Sequence, residues 1–598
     1  MMRFSSIGLA LGAILCTAWA LPTHDGPPGT DEETLRAINA TAFAITYGYP
    51  LAHFDATVEP VLASVGTNAF QHQRNTVRAD DDDDDDDQLP TARPNTDVLY
   101  SVAAIDLSTT DVILTIPKIG NSRYFVVSFY DLWSNNLANV GRLTMSVPGK
   151  YLLKIANRPW QIGWVEADEG NTDYAGYVYF PTIYGLVLSQ MLVRNNEADV
   201  QAAREAQSGI KLTTEPRPGP RLGPKLTSEL LGDGVLEPIA QRPVGQLSQH
   251  SARDLLDVVA RVDPFNRPWR PRDGASVTRQ FEDAGLAHGE YEPPSELQYE
   301  RAMQIVDKGL LEAEKRLQPY GNGWFGFPHG MTGIFGDQYA VRSLAASIDY
   351  LQLVPSEALF LTWMGDSGHQ GARDGLTLDH GDALVVTFPS GKPPVTVSGF
   401  WTLSVYDADG GLVPNDLGRY SLGDGSNLTY VTGQPVYGFS NRTDAFSILV
   451  QPRDVRPPAN WTNNWLPAPS GGDKFSINLR LIGPKLPLTA GSSVAIPWCA
   501  SGGLDRLVRG LGNGASQAVA LGAHHYSSNI HAANVPCSGR FSHRTMYYCI
   551  HVSVFADSSF HEDAFCVCTC KQGQHLHYMA SITPQRHAYT DTMTKRRP

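Results

Sequence analysis

Asn95-Thr96-Asp97-Val98-Leu99-Tyr100-Ser101 decides how the chain is read. It follows Pro94 and opens an apolar run, residues 98–107, that predicts a strand. Downstream, RYFVVSFYDLWSNN (residues 123–136) carries a second apolar strand into the polar cluster Asp131-Leu132-Trp133-Ser134-Asn135-Asn136. Residues 112–116, 151–153 and 177–180 are likewise β-branched and aromatic, with Gly, Pro and Asn between them. Residues 183–193 read as the start of a helix continuing through 199–206.

Outward from this block, residues 31–47 have helical spacing, with Leu35, Ile38, Ala42 and Ile45 on one side. Residues 48–79 are mixed. A Pro/Gly-rich linker at 213–224 leads to helical segments at 251–262, 296–317 and 336–351. Short strands return at 359–363, 383–388, 399–406, 446–450 and 475–481, set apart by Gly, Asp and Pro turns. Strands at that density without helices between them indicate a sandwich or jelly roll. The fold class is therefore mainly β with helices: two β-sandwich or jelly-roll-like domains joined by a helical bridge, with an atypical C-terminal tail. The expected divisions are a signal peptide at 1–20, an N-terminal β-rich domain at 21–212, the linker and bridge at 213–352, a β-sandwich at 353–497 and a Cys/His-rich tail at 498–598.

At 598 residues the chain exceeds one core. Its net charge of −14 lacks the basic footprint that nucleic acid requires. Much of that charge is the aspartate run 80–87. A homopolymer supplies neither the spaced oxygens nor the turn of a calcium loop, so the run reads as a self-repelling insertion. Arg3, the apolar residues 7–15 and Ala18-Trp19-Ala20 have the order of a secretory signal. A membrane anchor or buried helix is the other reading of that stretch. No later window approaches a span, so no membrane segment is expected once the signal is removed. Asn39, Asn427, Asn441 and Asn460 each begin an Asn-x-Thr sequon. Apart from Cys16, every cysteine lies after residue 498. The tail that holds them admits three readings: a zinc site, three disulfides, or a stretch that is not native coding sequence.

The motifs, taken in order, have a further meaning. Asn95-x-Asp97-x-Leu99-Tyr100-Ser101, Arg123-Tyr124 running into Asp131, and Pro181-Thr182 resemble the domain of unknown function numbered 1254. Phe400 to Asp407 (FWTLSVYD), Asn415-x-x-x-Arg419-Tyr420-Ser421, Asn464 to Pro469 (NWLPAP) and Arg480-Leu481-x-x-Pro484-Lys485 resemble its companion numbered 1214. The resemblance covers roughly residues 31–497. It implies exported proteins of bacteria and fungi, with two β-sandwich-like domains and helices between them. It implies no reaction and no catalytic residues. The chain departs from the pattern at Val98, where the family often has Thr, near Ser189-Gln190, where an expected Arg is absent, and in its tail.

No nucleotide loop, nucleophile elbow or cofactor motif is present; Gly321-x-Gly323-x-x-Gly326 follows no strand and meets Pro328. Cofactors are therefore expected to be none. Candidate chemistry rests on three clusters. Asp97 with Tyr100 offers a general base and a donor, or an Asx-type turn that starts the strand. Asp131, Trp133 and Asn135 have a sugar-binding composition, or else fill a core. Trp401, Tyr406, Asn415, Arg419 and Tyr420 offer a carboxylate clamp, or a loop that Arg419 locks to Asp407. The loop holding Asp366, His369, Asp374, Asp379 and His380 reads as a Gly-rich turn, and no metal is expected. The function reading is a secreted protein binding a small polar or carboxylate-bearing ligand where the β-domains meet, with acid/base chemistry open to it. The alternative is a non-catalytic envelope or surface module.

Overall fold

Val98–Asp106 is buried along its whole length, and the alternation of its side chains explains why. Val98, Tyr100, Val102 and Ala104 face one core, while Leu99, Ala103 and Ile105 face another. A strand covered on both faces needs apolar residues at every position, as this sequence provides. The computed structural model describes residues 32–79 and 93–503, except 121, 169–172, 195, 267, 296, 366–374, 392–393, 438–443 and 486–495. It also describes backbone strands at Tyr548–Ser553, Ala564–Gln572 and His575–Met579. The expected signal, the aspartate run, Asn441 and the Asp366–Asp374 part of the His/Asp loop lie outside the described residues. Met1–Ala520 and Leu521–Pro598 are separate compact units; the three strands just named form one antiparallel sheet in the second.

In the first unit, a five-stranded sheet runs in the order Gln71–His72, Val98–Asp106, Tyr184–Leu192, Phe125–Asp131, Asn136–Gly141. A second runs Lys211–Pro216, Thr110–Ile116, Gly149–Ile155, Gly176–Phe180, Gly163–Glu166. Val112, Leu114, Tyr151, Leu153 and Val178 of the second sheet meet Val127, Phe129, Val187 and Met191 of the first in one core. Residues 183–193 are thus a strand, Tyr184–Leu192, and not a helix. An apolar run of that length fits either structure, and pairing with neighbours on both edges decides it here. The helix begins later, at Glu197–Ser208, where the Asn196 side chain accepts the Asp199 N–H.

Helices cover the other face of the first sheet. Glu32–Gly48 is buried over most of its surface. It packs with Gln249–Val262, Gly274–Asp283, Tyr299–Glu314 and Tyr339–Ile348. The helices expected as a bridge therefore share a core with a helix from the start of the chain. Gly48 permits that approach: a Cβ there would stand 2.5 Å from Val259 Cγ2. A second helix, Pro50–Ser64, occupies part of the stretch that showed no pattern; Pro50 sits in its first turn, where no N–H is needed.

The second half forms another pair of sheets. Six strands run Gln318–Gly321, Trp324–Gly326, Ala358–Trp363, Phe475–Pro484, Val395–Asp407, Ser421–Gly423. Four run Trp465–Ala468, Phe446–Pro452, Asp382–Phe388, Trp498–Gly503. Trp324, Trp401, Phe388 and Phe446 fill the space between them. The last two rings stack at 4.8 Å. Mainly β with helices holds for the described residues. Among the described residues, no helix is long and apolar enough to cross a membrane.

Candidate functional site

The turn before Val98–Asp106 is built by its own polar residues. Asn95 Oδ1 accepts the Asp97 N–H at 3.0 Å, and the Asn95 N–H donates to the Tyr100 hydroxyl at 2.9 Å. This Asx-type turn leaves the Asp97 carboxylate pointing away from its own backbone. It meets the second half of the chain instead. Ser421 Oγ donates to Asp97 Oδ2 at 2.9 Å, across 324 positions of sequence. Thr96 Oγ1 stands 2.9 Å from the same Ser421 hydroxyl. Burial pushes the Asp97 carboxyl above its usual range, against the Ser421 bond and the guanidinium charges of Arg194 and Arg480.

A cavity of ≈ 350 Å³ opens at this contact. Arg78, Asp97, Arg419, Tyr420, Ser421 and Asn427 are among its lining residues. Its size falls within the range of small-ligand sites. Arg419 reaches it from a rigid loop. Asn415 Oδ1 accepts the Arg419 N–H at 3.1 Å, and Asn415 Nδ2 donates to the Arg419 carbonyl at 2.9 Å. The guanidinium itself donates to the Thr462 and Trp465 carbonyls, at 2.6 and 3.0 Å. Burial lowers its pKa.

Behind the cavity lies a buried polar junction. Arg480, on Phe475–Pro484, donates to the Tyr406 hydroxyl and the Arg93 carbonyl. Tyr406 in turn donates to the Pro94 carbonyl at 2.8 Å, and Arg93 donates to the Ile348 carbonyl. Burial alone would lower the Arg480 guanidinium; Tyr406, Asp349 and Tyr100 outweigh it and push it up. Tyr100 belongs here and not to the cavity lining. Its hydroxyl is buried, which pushes it up to about 12.

Asp131, Trp133 and Asn135 sit elsewhere, under the helices. Asp131 accepts the Trp133 N–H at 3.0 Å, the Asn135 N–H at 2.8 Å and Asn135 Nδ2 at 2.9 Å. Trp133 packs edge-on against Tyr47 at 4.8 Å and donates to the Asn266 carbonyl. Asn135 Oδ1 accepts the Phe335 N–H. The guanidinium of Arg342 lies over Tyr47 and Tyr339, at 4.5 and 5.0 Å. Asp131 and Asn135 are satisfied within this closed core, whereas the Tyr47 hydroxyl and Arg342 Nε have no hydrogen-bond partner among the described residues. Asp131→Ala is therefore expected to lose about 3 kcal/mol of stability, because buried donors are left without an acceptor. A urea titration measures this, and a loss within about 0.5 kcal/mol would contradict the role.

The remaining candidates are placed as follows. Trp401 fills the second sandwich and donates to the Tyr437 hydroxyl at 3.0 Å. Tyr406 lies in the junction. Asn39 is half-buried within Glu32–Gly48, while Asn427 and Asn460 are exposed. Among the described residues, no group of three His, Cys, Asp or Glu side chains could hold a metal. Asp349, Arg93 and Arg342 were not singled out from sequence. A lone Arg in the apolar helix Tyr339–Ile348 was the available signal for Arg342.

Residues 67–214 match the model of a protein family of unknown function, DUF1254. Residues 369–486 match that of a second, DUF1214. The two matches fall in that order along the chain. Asp97 and Thr96 lie in the DUF1254 region, and Arg419, Tyr420 and Ser421 in the DUF1214 region, so the cavity draws on each. A search of curated proteins finds no match. The crystal structure of the VPA0106 protein from Vibrio parahaemolyticus is similar, with a TM-score of 0.50 at 16% identity, over 78% of this chain and 100% of that one. An uncharacterized protein from Burkholderia cenocepacia gives a TM-score of 0.35 at 12% identity, over 79% and 96%. The first likeness extends the shared fold across both regions and speaks to fold alone.

Proposed function

We propose that this is a secreted protein that binds a small, hydroxylated, carboxylate-bearing ligand where its two β-rich regions meet. One observation carries the reading. Asp97 and Ser421, distant in sequence, are hydrogen-bonded to each other on the wall of a single cavity that Arg78 and Arg419 also line. Guanidinium groups suit a ligand carboxylate, and the Asp97–Ser421–Thr96 set suits ligand hydroxyls. Asp97, whose carboxyl burial pushes upward, is the group fitted to take a proton from a bound hydroxyl. Export is the reading of residues 1–20 carried over from their pattern.

The test is a thermal-shift screen of hydroxy acids and sugar acids, followed by calorimetry on any hit. Asp97→Asn is expected to weaken binding roughly tenfold or more, since it removes one charge-assisted acceptor. No shift with any acid of these classes, or equal affinity in the variant, would count against the site. A second reading, a non-catalytic surface module, is favoured by the way Asp131 and Asn415 are consumed within their own turns. It predicts an empty screen together with unchanged folding of Asp97→Asn.

A further inference from the structure

Asn427 is both a sequon residue and a lining residue of the junction cavity. Leu428 is 1% exposed and sits in the core of the second sandwich, while its neighbour Asn427 is exposed. The loop is held on both sides of it. The Gly423 N–H donates to Ser426 Oγ at 3.0 Å. The Leu428 carbonyl accepts the Val436 N–H at 2.9 Å. The sequon hydroxyl, Thr429 Oγ1, faces Asn464 Oδ1 at 3.3 Å, and Asn464 also takes the Thr429 N–H at 2.9 Å. Asn427 itself is exposed, and none of these bonds uses its side chain. Asn39 differs: it is half-buried, within a helix packed on most sides.

We propose that Asn427 carries an N-linked glycan in the exported protein, and that this glycan stands over the mouth of the junction cavity and limits entry to it. An N-glycan is bulky and polar, and its first sugar is attached directly to a side chain that forms part of the wall. The modified chain would thus present a narrower opening than the unmodified one, with the same residues inside. The inference rests on the proposed export, and the experiment below separates the two.

The full chain is produced in a secreting eukaryotic host behind its own residues 1–20 and, in parallel, behind a leader from the host. Glycopeptide mapping reads occupancy at Asn427. Access is read without any ligand, through Leu417→Cys, whose parent side chain is 51% exposed and lines the cavity. The labelling rate at position 417 by a bulky polymer maleimide is compared before and after enzymatic removal of glycans, and in the Asn427→Gln background. Expected are an occupied Asn427 and labelling slowed about tenfold while the glycan is present. An unmodified Asn427 behind the host leader overturns the proposal. Equal labelling rates overturn the covering role. Occupancy with the host leader but not with residues 1–20 overturns the export reading and supports the site itself.

Discussion

Replacing Arg480 with methionine is expected to cost about 3–5 kcal/mol of global stability, the range for breaking a buried ionic group on one side only. Methionine keeps the apolar stem and removes the guanidinium. Three things then fail together. The Tyr406 hydroxyl loses its donor, the Arg93 carbonyl loses its partner, and Asp349 loses the largest positive charge beside it. Asp349 is already pushed up to about 6 by burial, with Arg480 and Arg93 the charges that hold it down. Without Arg480 it must take a proton or remain an uncompensated charge. The double variant Asp349→Asn, Arg480→Met should therefore recover part of the loss, since both charges leave at once. Urea midpoints of the two single variants and the double give the coupling. A single-variant loss under about 1 kcal/mol, the scale of a surface pair, would show that the junction does not hold the two regions together.

That junction shows where sequence reading reaches and where it stops. The strands were legible because burial on one or both faces demands period-two or continuous apolar residues, and Val98–Asp106, Phe125–Asp131 and Phe446–Pro452 supply them. The ordered motifs led to both domains of unknown function. Tyr184–Leu192 was read as helix because a short apolar run carries no period of its own; its partners on either side lie far away in sequence. The helix Pro50–Ser64 escaped because its apolar and polar residues do not separate into clean faces, and two polar ones, Asp55 and Thr57, are buried. For the site, Asn95, Asp97, Arg419 and Tyr420 were visible as unusual polar groups beside strands. Their meeting was not. Nothing local says that Ser421 will close on Asp97, because that contact depends on how an edge strand of one sandwich abuts a turn of the other. The same limit applies to Asp131, where a sugar-like composition proved to be a self-contained turn roofed by Trp133 and Arg342.

Between about pH 6.5 and pH 8 the protein is expected to lose about 3 kcal/mol of stability, the reverse of the usual carboxylate trend. Asp55, Asp263 and Glu357 are each pushed up to about 7, and Asp131 and Asp349 to about 6. Burial is the first cause in every case. Glu59 and Glu237 add to it at Asp55, while the Tyr124 bond opposes it at Glu357. In the unfolded chain these groups have ordinary carboxyl pKa values and are ionised by pH 6.5. The native state thus holds more protons across the window; its advantage is fully present only below the unfolded pKa of about 4, falls as pH rises from there, and the last part of it is lost as pH passes through the folded pKa. The buried imidazole of His53, lowered to about 4, acts in the opposite sense, as does His72. Their unfolded forms bind protons below about pH 6.5, so they raise stability with pH only up to that point. The lowered carboxyls of Asp199 and Asp337 act only in stronger acid. Asp55 is the place to separate these contributions. Neither of its carboxylate oxygens has a hydrogen-bond partner among the described residues. Asp55→Asn removes the titration at little cost in shape, so it should raise stability at pH 8 and flatten the slope by about 1 kcal/mol. Denaturant unfolding of both proteins at the two pH values is sufficient. A wild-type curve that rises across the window, or a variant slope unchanged from it, would mean that these carboxyls are ionised in the native protein and reached by water.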